Sequence, residues 1–462
     1  MPRRIRNLQD VVDWRLCIGC GACAHACEPG TVSLVNIESE GIRPVFHGTS
    51  QSHKECLAIC PGYSLDAEAV TGPAGRSRAD EEFGPALEIW EGHAADPEIR
   101  FQASSGGLLT ALSLYCLERE GMSFVSHIAS DPAQPWLNRT VQSRTREELL
   151  SRTGSRYSPA SPCDGLGAIE KSEAPCVFIG KPCDTAAVMQ LRARRPALDQ
   201  RLGLVLAFFC AGTPSTRGTL DLLEKVQAQR DTIDQLRYRG EGWPGGFTVV
   251  SGSRRYFLPY AEAWGALTRY VQFRCRLCPD GLGRLADIAC GDAWEQHDSG
   301  RDNPGTSIVL VRTRRGQEIL HRAMAAGYVQ LTRVAAEAVL AAQPSLLSRR
   351  RELSGRFLAM RLLRIPVPKF RGFSLWHSWA RLPQLEKVRT LAGTFRRALT
   401  RGWWKPRRIE NIGAETQLPH AADPCAVDAS SRPNGTSRSA GRDGHPLSDS
   451  PSATTALPRP RP

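Results

Sequence analysis

The chain has 462 residues, 41% of them hydrophobic and 23% charged, which is enough for two or three domains and too apolar for wholesale disorder. Its net charge of +13 is uneven: residues 331–462 hold 23 Lys and Arg against 9 Asp and Glu, whereas residues 1–330 hold 37 against 38. The basic excess therefore belongs to the C-terminal part, which argues against a nucleic-acid enzyme, and no apolar run reaches the roughly 18 residues of a membrane span.

The first ten residues lead into polar sequence without the apolar core of a secretory signal, so a cytoplasmic location is expected. Fifteen cysteines, mostly clustered, then point to metal rather than to disulfides. Residues 1–72 read as a ferredoxin-like module. Cys17, Cys20, Cys23 and Cys27 form C-x2-C-x2-C-x3-C, and Cys56 and Cys60 follow, with Pro61 behind Cys60. This is the bacterial ferredoxin arrangement, in which the fourth cysteine of a run serves the other cluster. Cys17, Cys20, Cys23 and Cys60 are accordingly assigned to one 4Fe–4S cluster, and Gly19 and Gly21 give the loop the φ freedom to wrap it. A second full run needs cysteines at positions 50 and 53, which are Ser50 and His53. Cys27 and Cys56 keep three readings: no second cluster there, which is favoured, a cluster with His53 as a ligand, or a disulfide. Zinc takes paired CxxC units a dozen or so residues apart, and the triple run fits iron–sulfur better.

Residues 73–99, with Pro, Gly and charges, read as a linker, and residues 100–330 as a mixed α/β core. A helix is predicted over Gly106–Glu120 with Ser104 or Ser105 as N-cap, then a strand over Ser123–Ala129. A strand over Cys176–Ile179 runs into the turn GKPCD, followed by a helix over Thr185–Arg194 and a strand over Gly203–Phe209. Further on come a helix over Thr216–Gln229, a hairpin from Phe247–Val250 and Tyr256–Leu258, a strand over Ser307–Arg312 and a helix over Gln317–Ala325. The strand–helix–strand unit makes its two strands parallel, so Cys183 and Cys210, just past their ends, project from one rim of the sheet, where α/β proteins bind ligands. Cys275 and Cys278 add a CxxC, RCRLCPD, and the four thiolates suit a second 4Fe–4S cluster. Alternatives stay open: Cys183 as a nucleophile at a helix N-terminus, or Cys275 and Cys278 in a zinc site. Cys116, Cys163, Cys176, Cys290 and Cys425 read as ordinary buried or tail cysteines.

No GxGxxG follows a strand. The run Ala103-Ser104-Ser105-Gly106-Gly107 instead offers hydroxyls and helix N-terminal amides that suit a pyrophosphate. Gly154-Ser155-Arg156-Tyr157 adds a cation and an aromatic face. Asp287 and Asp292, close behind the CxxC, offer carboxylates to ribityl hydroxyls of a bound cofactor.

Residues 331–413 form a basic amphipathic extension, and 414–462 turn to Ser, Pro, Thr, Gly and Asp, the composition of a disordered tail. Within the extension, 345–410 has three readings: peripheral contact with an anionic membrane such as the inner membrane surface, docking of an acidic partner such as ferredoxin, or packing on the core.

The ordered motifs CIGCGACAHAC, ASSGG, GSRY, GKPCD, LAFFCAG and RCRLCPDGLGRLADIACGD resemble those of the beta-subunit family of coenzyme F420 hydrogenases and dehydrogenases over about residues 11–330. The resemblance implies an FAD-binding α/β (α+β) core, 4Fe–4S clusters and electron transfer between them. It places Cys183, Cys210, Cys275 and Cys278 on the flavin-proximal cluster, and Ser105, Gly106, Gly107 and Tyr157 on FAD. It also implies a ferredoxin-like carrier or a partner oxidoreductase subunit, with coenzyme F420 as a candidate substrate. Two features depart from the pattern: the incomplete second ferredoxin run and the long basic C-terminal region.

Overall fold

The structure, a computed structural model, describes residues 3–48, His53, 56–71, 77–294 and 304–408. Ser50, Cys425 and the tail from 414 lie outside the described residues.

The N-terminal module opens with the short helix Leu8–Asp13, capped by the Asn7 side chain, which accepts from the Asp10 amide at 2.9 Å. A hairpin of β1 (Val32–Ile37) and β2 (Gly41–Phe46) follows, and then the short β3 (Ser64–Asp66).

The stretch expected to be a linker instead holds a strand of the main sheet, β4 (Glu88–Ala94). The rest of that sheet is β5 (Val125–Ser130), β6 (Asn138–Ser143), β7 (Cys176–Gly180), β8 (Leu202–Phe208), β12 (Ile288–Asp292), β13 (Ser307–Val311) and β14 (Val329–Arg333). A separate three-stranded sheet is made of β9 (Gln235–Arg237), β10 (Gly246–Ser251) and β11 (Arg254–Pro259), with β10 and β11 as the expected hairpin.

Strand order in the eight-stranded sheet is β14-β4-β13-β12-β8-β7-β5-β6. β12, β8, β7 and β5 run parallel, and the flanking pairs are antiparallel. Burial alternates with period two: Val177, Leu204, Leu206 and Val309 pack with the helices Leu108–Arg119 and Arg314–Ala325 on one face. Phe178, Val205, Ala207 and Ile308 pack with the helix Pro182–Arg192 and the N-terminal module on the other. The parallel pairing of β7 and β8 brings Cys183 and Cys210 past the same edge.

Two expectations need correction besides the linker. The helix over 108–119 has Gly107, at φ +76°, as its N-cap, not Ser104 or Ser105. The extension begins inside the sheet, because β14 is its edge strand beside β4. Beyond β14 the chain packs on the core. Its β15 (Lys369–Arg371) pairs in parallel with β3, Trp403 is buried against Phe273 with ring centroids 4.5 Å apart, and the Arg407 amide donates to the Asp13 carbonyl at 2.8 Å. Among the described residues no helix is long and apolar enough to cross a membrane.

Candidate functional site

The tight cysteine run folds because its glycines let backbone touch backbone. Gly19 sits at φ +71°, where a Cβ would lie 2.4 Å from the Ile42 carbonyl, and Gly21 at φ +87°, where a Cβ would lie 2.9 Å from the Asp164 amide. Cys17, Cys20, Cys23 and Cys60 line one small cavity. Burial and then the neighbouring thiols push Cys23 up, and burial with Cys17 and Cys20 pushes Cys60 up to about 12. Buried sulfurs that raise one another in this way are a donor set that wants cationic iron. The Gly19 amide also donates to Cys17 Sγ at 3.3 Å, the kind of bond that stabilises a ligating thiolate. Cys56 lines the same cavity, and its sulfur lies 2.9 Å from that of Cys27, both residues being buried. The His53 ring packs against Phe46, with centroids 5.1 Å apart and planes tilted at 58°.

The rim cysteines also converge. Burial raises Cys183, with Cys210 and Cys278 among its neighbours, and burial with Cys275 and Cys278 raises Cys210 to about 12. The Thr213 amide donates to Cys275 Sγ at 3.4 Å. Among the described residues no three His, Cys, Asp or Glu side chains gather closely enough to ligate a single metal ion. In donor type and number both quartets fit 4Fe–4S clusters, which take four cysteine thiolates each.

The two quartets are linked through protein at two points. Cys163, expected to be an ordinary core residue, hydrogen-bonds Cys20, whose pKa it lowers, and stands 3.7 Å from the Asp184 carbonyl beside Cys183. Burial raises the Cys278 pKa, and buried Arg274, which opposes that rise, donates to the Pro61 carbonyl next to Cys60 at 2.8 Å. Lys181 is also buried at this junction. Its ammonium pairs with Asp184 at 2.7 Å, and although burial opposes the charge, Asp184, Cys183 and Cys210 outweigh it and raise its pKa.

A cavity of about 260 Å³ opens at the carboxyl edge of the parallel strands. Ser104, Ser105, Gly107, Tyr157 and Asp292 all line it, and so does Cys210, which sets the rim quartet against its wall. Ser104 Oγ accepts from the Ser155 amide at 2.6 Å, which joins the ASSGG and GSRY elements. Gly106 stands behind the lining: its amide donates to Ser307 Oγ at 2.9 Å, and a Cβ would meet the Gly92 carbonyl at 2.7 Å. Asp292 is held by Arg239 in a two-pronged pair, both contacts 2.8 Å, and by the Trp243 indole at 2.8 Å.

Asp287, expected on a ligand's hydroxyls, is not in the lining. One carboxylate oxygen accepts from the Val205 amide at 2.8 Å and the other from Thr313 Oγ1 at 2.6 Å, so it ties β8 to the start of the 314–325 helix. Arg156 is in the lining, but its guanidinium is spent on protein: it donates to the Leu236 and Pro135 carbonyls and to Asn138. The sequence reading missed four residues of the wall: Lys181, Arg239, Tyr260 and Trp294. Lys181 stood inside the quoted GKPCD motif. Tyr260 and Trp294 stack at 13° with centroids 5.5 Å apart, and Arg239 lies 4.6 Å above Tyr260. Aromatic faces beside fixed cations suit a ring system carrying phosphate.

Sheet, cysteine quartets and cavity together define a redox protein of iron–sulfur type. The family models for the coenzyme F420 hydrogenase/dehydrogenase beta subunit match residues 89–166 with their N-terminal part and 175–337 with their C-terminal part. A 4Fe-4S binding domain model matches residues 10–32. The chain belongs to the coenzyme F420 hydrogenase/dehydrogenase beta-subunit family, a family of oxidoreductase subunits. It is 25% identical to the coenzyme F420 hydrogenase subunit beta of Methanosarcina barkeri over 264 residues, which is 54% of this chain and 82% of that one. It is also 25% identical to the subunit of the same name from Methanothermobacter thermautotrophicus over 252 residues, 53% and 84% of the two chains. A solved chain of the F420-reducing [NiFe] hydrogenase complex from Methanosarcina barkeri matches with a TM-score of 0.49 and 22% identity, over 63% of this chain and 97% of that one.

Proposed function

We propose that the protein is an iron–sulfur flavoprotein oxidoreductase linking a one-electron carrier of ferredoxin type, or a deazaflavin, to a two-electron substrate. The observation that carries the reading is Cys210, which belongs to the rim quartet and also lines the large cavity. Cys17, Cys20, Cys23 and Cys60 would hold one 4Fe–4S cluster, and Cys183, Cys210, Cys275 and Cys278 a second. Ser104, Ser105, Gly107, Tyr157 and Asp292 would border FAD. When bound, these groups supply the exchange between single electrons and hydride equivalents. The chain itself supplies fixed charge, burial and spacing: Lys181 and Arg274 compensate thiolate charge at the junction, and Tyr157, Tyr260 and Trp294 keep water from one wall of the cavity. The relatives' names describe subunits, which favours a second reading as an electron-relay subunit whose substrate site lies on a partner.

Cofactor content after anaerobic purification tests the proposal. About eight iron, matching sulfide and one FAD per chain are expected. The double substitution Cys275→Ser/Cys278→Ser should remove about half the iron. Zinc without sulfide or flavin in the wild type, or full iron in the variant, overturns it. Turnover by the isolated chain separates enzyme from relay subunit.

A further inference from the structure

The arginines that the C-terminal extension brings to the cysteine loop have no part in that chemistry. Arg276 lies between Cys275 and Cys278 and donates to the Thr268 carbonyl at 3.2 Å. Arg356 donates to the Arg276 carbonyl at 2.8 Å, and Arg349 to the Ala211 carbonyl, next to Cys210, at 2.6 Å. The helix Gln384–Thr400 and its end add Arg397 and Arg401. Burial first, and then Arg401, Arg349, Arg356 and Arg397, lower the pKa of Arg276. The carboxylate recorded among them is Glu352, which pairs with Arg356.

Like charges gathered in one place repel one another, so the folded chain concentrates these arginines at a cost. Backbone carbonyls hold three of these guanidiniums at the loop, so they do not disperse into solvent as a solvated arginine face would. Beside Arg401, Leu399 and Trp404 are 57% and 42% exposed. Arginine with an exposed aromatic and an apolar neighbour is the composition of protein interfaces.

We infer that this arginine face docks an acidic electron-carrier protein and presents its redox centre to the Cys275–Cys278 loop. The inference rests on the reading of those cysteines as cluster ligands. The step is one electron: the carrier is oxidised, the rim centre is reduced, and no bond or proton moves. Charge complementarity steers the encounter and makes its rate sensitive to salt. A membrane is the poorer occupant, because it has no redox centre to present to the Cys275–Cys278 loop.

The test uses the anaerobic full-length holoprotein in a stopped-flow instrument, reduced either by an acidic plant-type 2Fe–2S ferredoxin or by methyl viologen. Arg397→Glu/Arg401→Glu should slow reduction by ferredoxin at least tenfold at low salt, with Arg397→Gln/Arg401→Gln intermediate. Reduction by viologen should be unchanged, and wild-type reduction by ferredoxin should fall steeply with salt. Equal ferredoxin rates in wild type and variants, with viologen reduction intact, overturn the docking face. Loss of phosphatidylserine-vesicle binding in the variants at unchanged ferredoxin rates overturns it too and gives the face to the membrane. Failure of viologen to reduce the wild type counts instead against the cluster assignment.

Discussion

Lys181 carries a buried ammonium to the point where both cysteine quartets and the large cavity meet. A fixed positive charge beside ligating sulfurs favours the reduced, more negative state of a cluster. Replacing Lys181 by Met should lower the midpoint potential of the rim cluster, and Asp184→Asn should raise it. Each shift should be about 60 mV or more, a tenfold change in a one-electron equilibrium, read by an EPR-monitored titration. A merely structural disturbance would not give opposite signs. Asp287 and Asp292 make a second contrast. Asp287→Ala leaves the Val205 amide and Thr313 Oγ1 without their acceptor and should cost about 1–3 kcal/mol in chemical denaturation at unchanged flavin content. Asp292→Ala alters the cavity wall itself and, on the proposed function, should release the flavin. The grouping of the cysteines was legible at this scale, because spacing and one parallel βαβ unit bring Cys17, Cys20 and Cys23, and Cys183 and Cys210, into one neighbourhood each. The split between the two acids was not, because it depends on partners 82 and 53 residues away.

At the scale of elements, the turn into the 108–119 helix depends on one residue. Gly107 lies at φ +76°, and a Cβ there would meet the Ile99 carbonyl at 3.1 Å and Ala94 Cβ at 3.2 Å. Gly107→Ala should destabilise the protein by about 1–2 kcal/mol and lower both Tm and flavin content, since the serines of the same turn border the cavity. The helix itself was readable from its apolar run, but its cap was not. The sequence offered serines, yet Ser105 Oγ is spent on Ser307 at 2.7 Å and Ser104 Oγ on the Ser155 amide. β4 escaped notice for a related reason. Its buried positions include Glu88, Gly92 and Ala94, so there is no run of large apolar residues to reveal it. Gly92 is small because the Gln330 carbonyl of β14 would lie 2.0 Å from a Cβ. Strands held by close backbone approach and by a buried acid leave little hydrophobic signature.

For the whole molecule, the C-terminal extension is part of the fold and packs on both the N-terminal module and the core, with β15 on β3 and Trp403 on Phe273. Its basic, amphipathic character was legible, but the pairing across some 300 residues was not. The main sheet also buries polar groups that titrate, and His127 on β5 is the clearest. It is buried among Ser143, whose hydroxyl lies 2.7 Å from Nε2, and Arg152. Burial, and then Arg152, lower its pKa from 6.5 to about 4. As pH falls, the unfolded chain therefore takes up this proton first. The stability that the neutral ring contributes is complete above about pH 6.5 and is lost between 6.5 and 4, about 3 kcal/mol in all. Carboxylates lose their own contributions in the same range, so the difference between two proteins is the informative quantity. His127→Gln keeps a polar side chain at the site but removes the titration. Its unfolding free energy should fall less steeply than the wild type's between pH 6.5 and 4.5 and run parallel to it above pH 7. Parallel curves across the whole range would mean that His127 takes up its proton at the same pH in the folded and unfolded chain, and that burial does not lower its pKa.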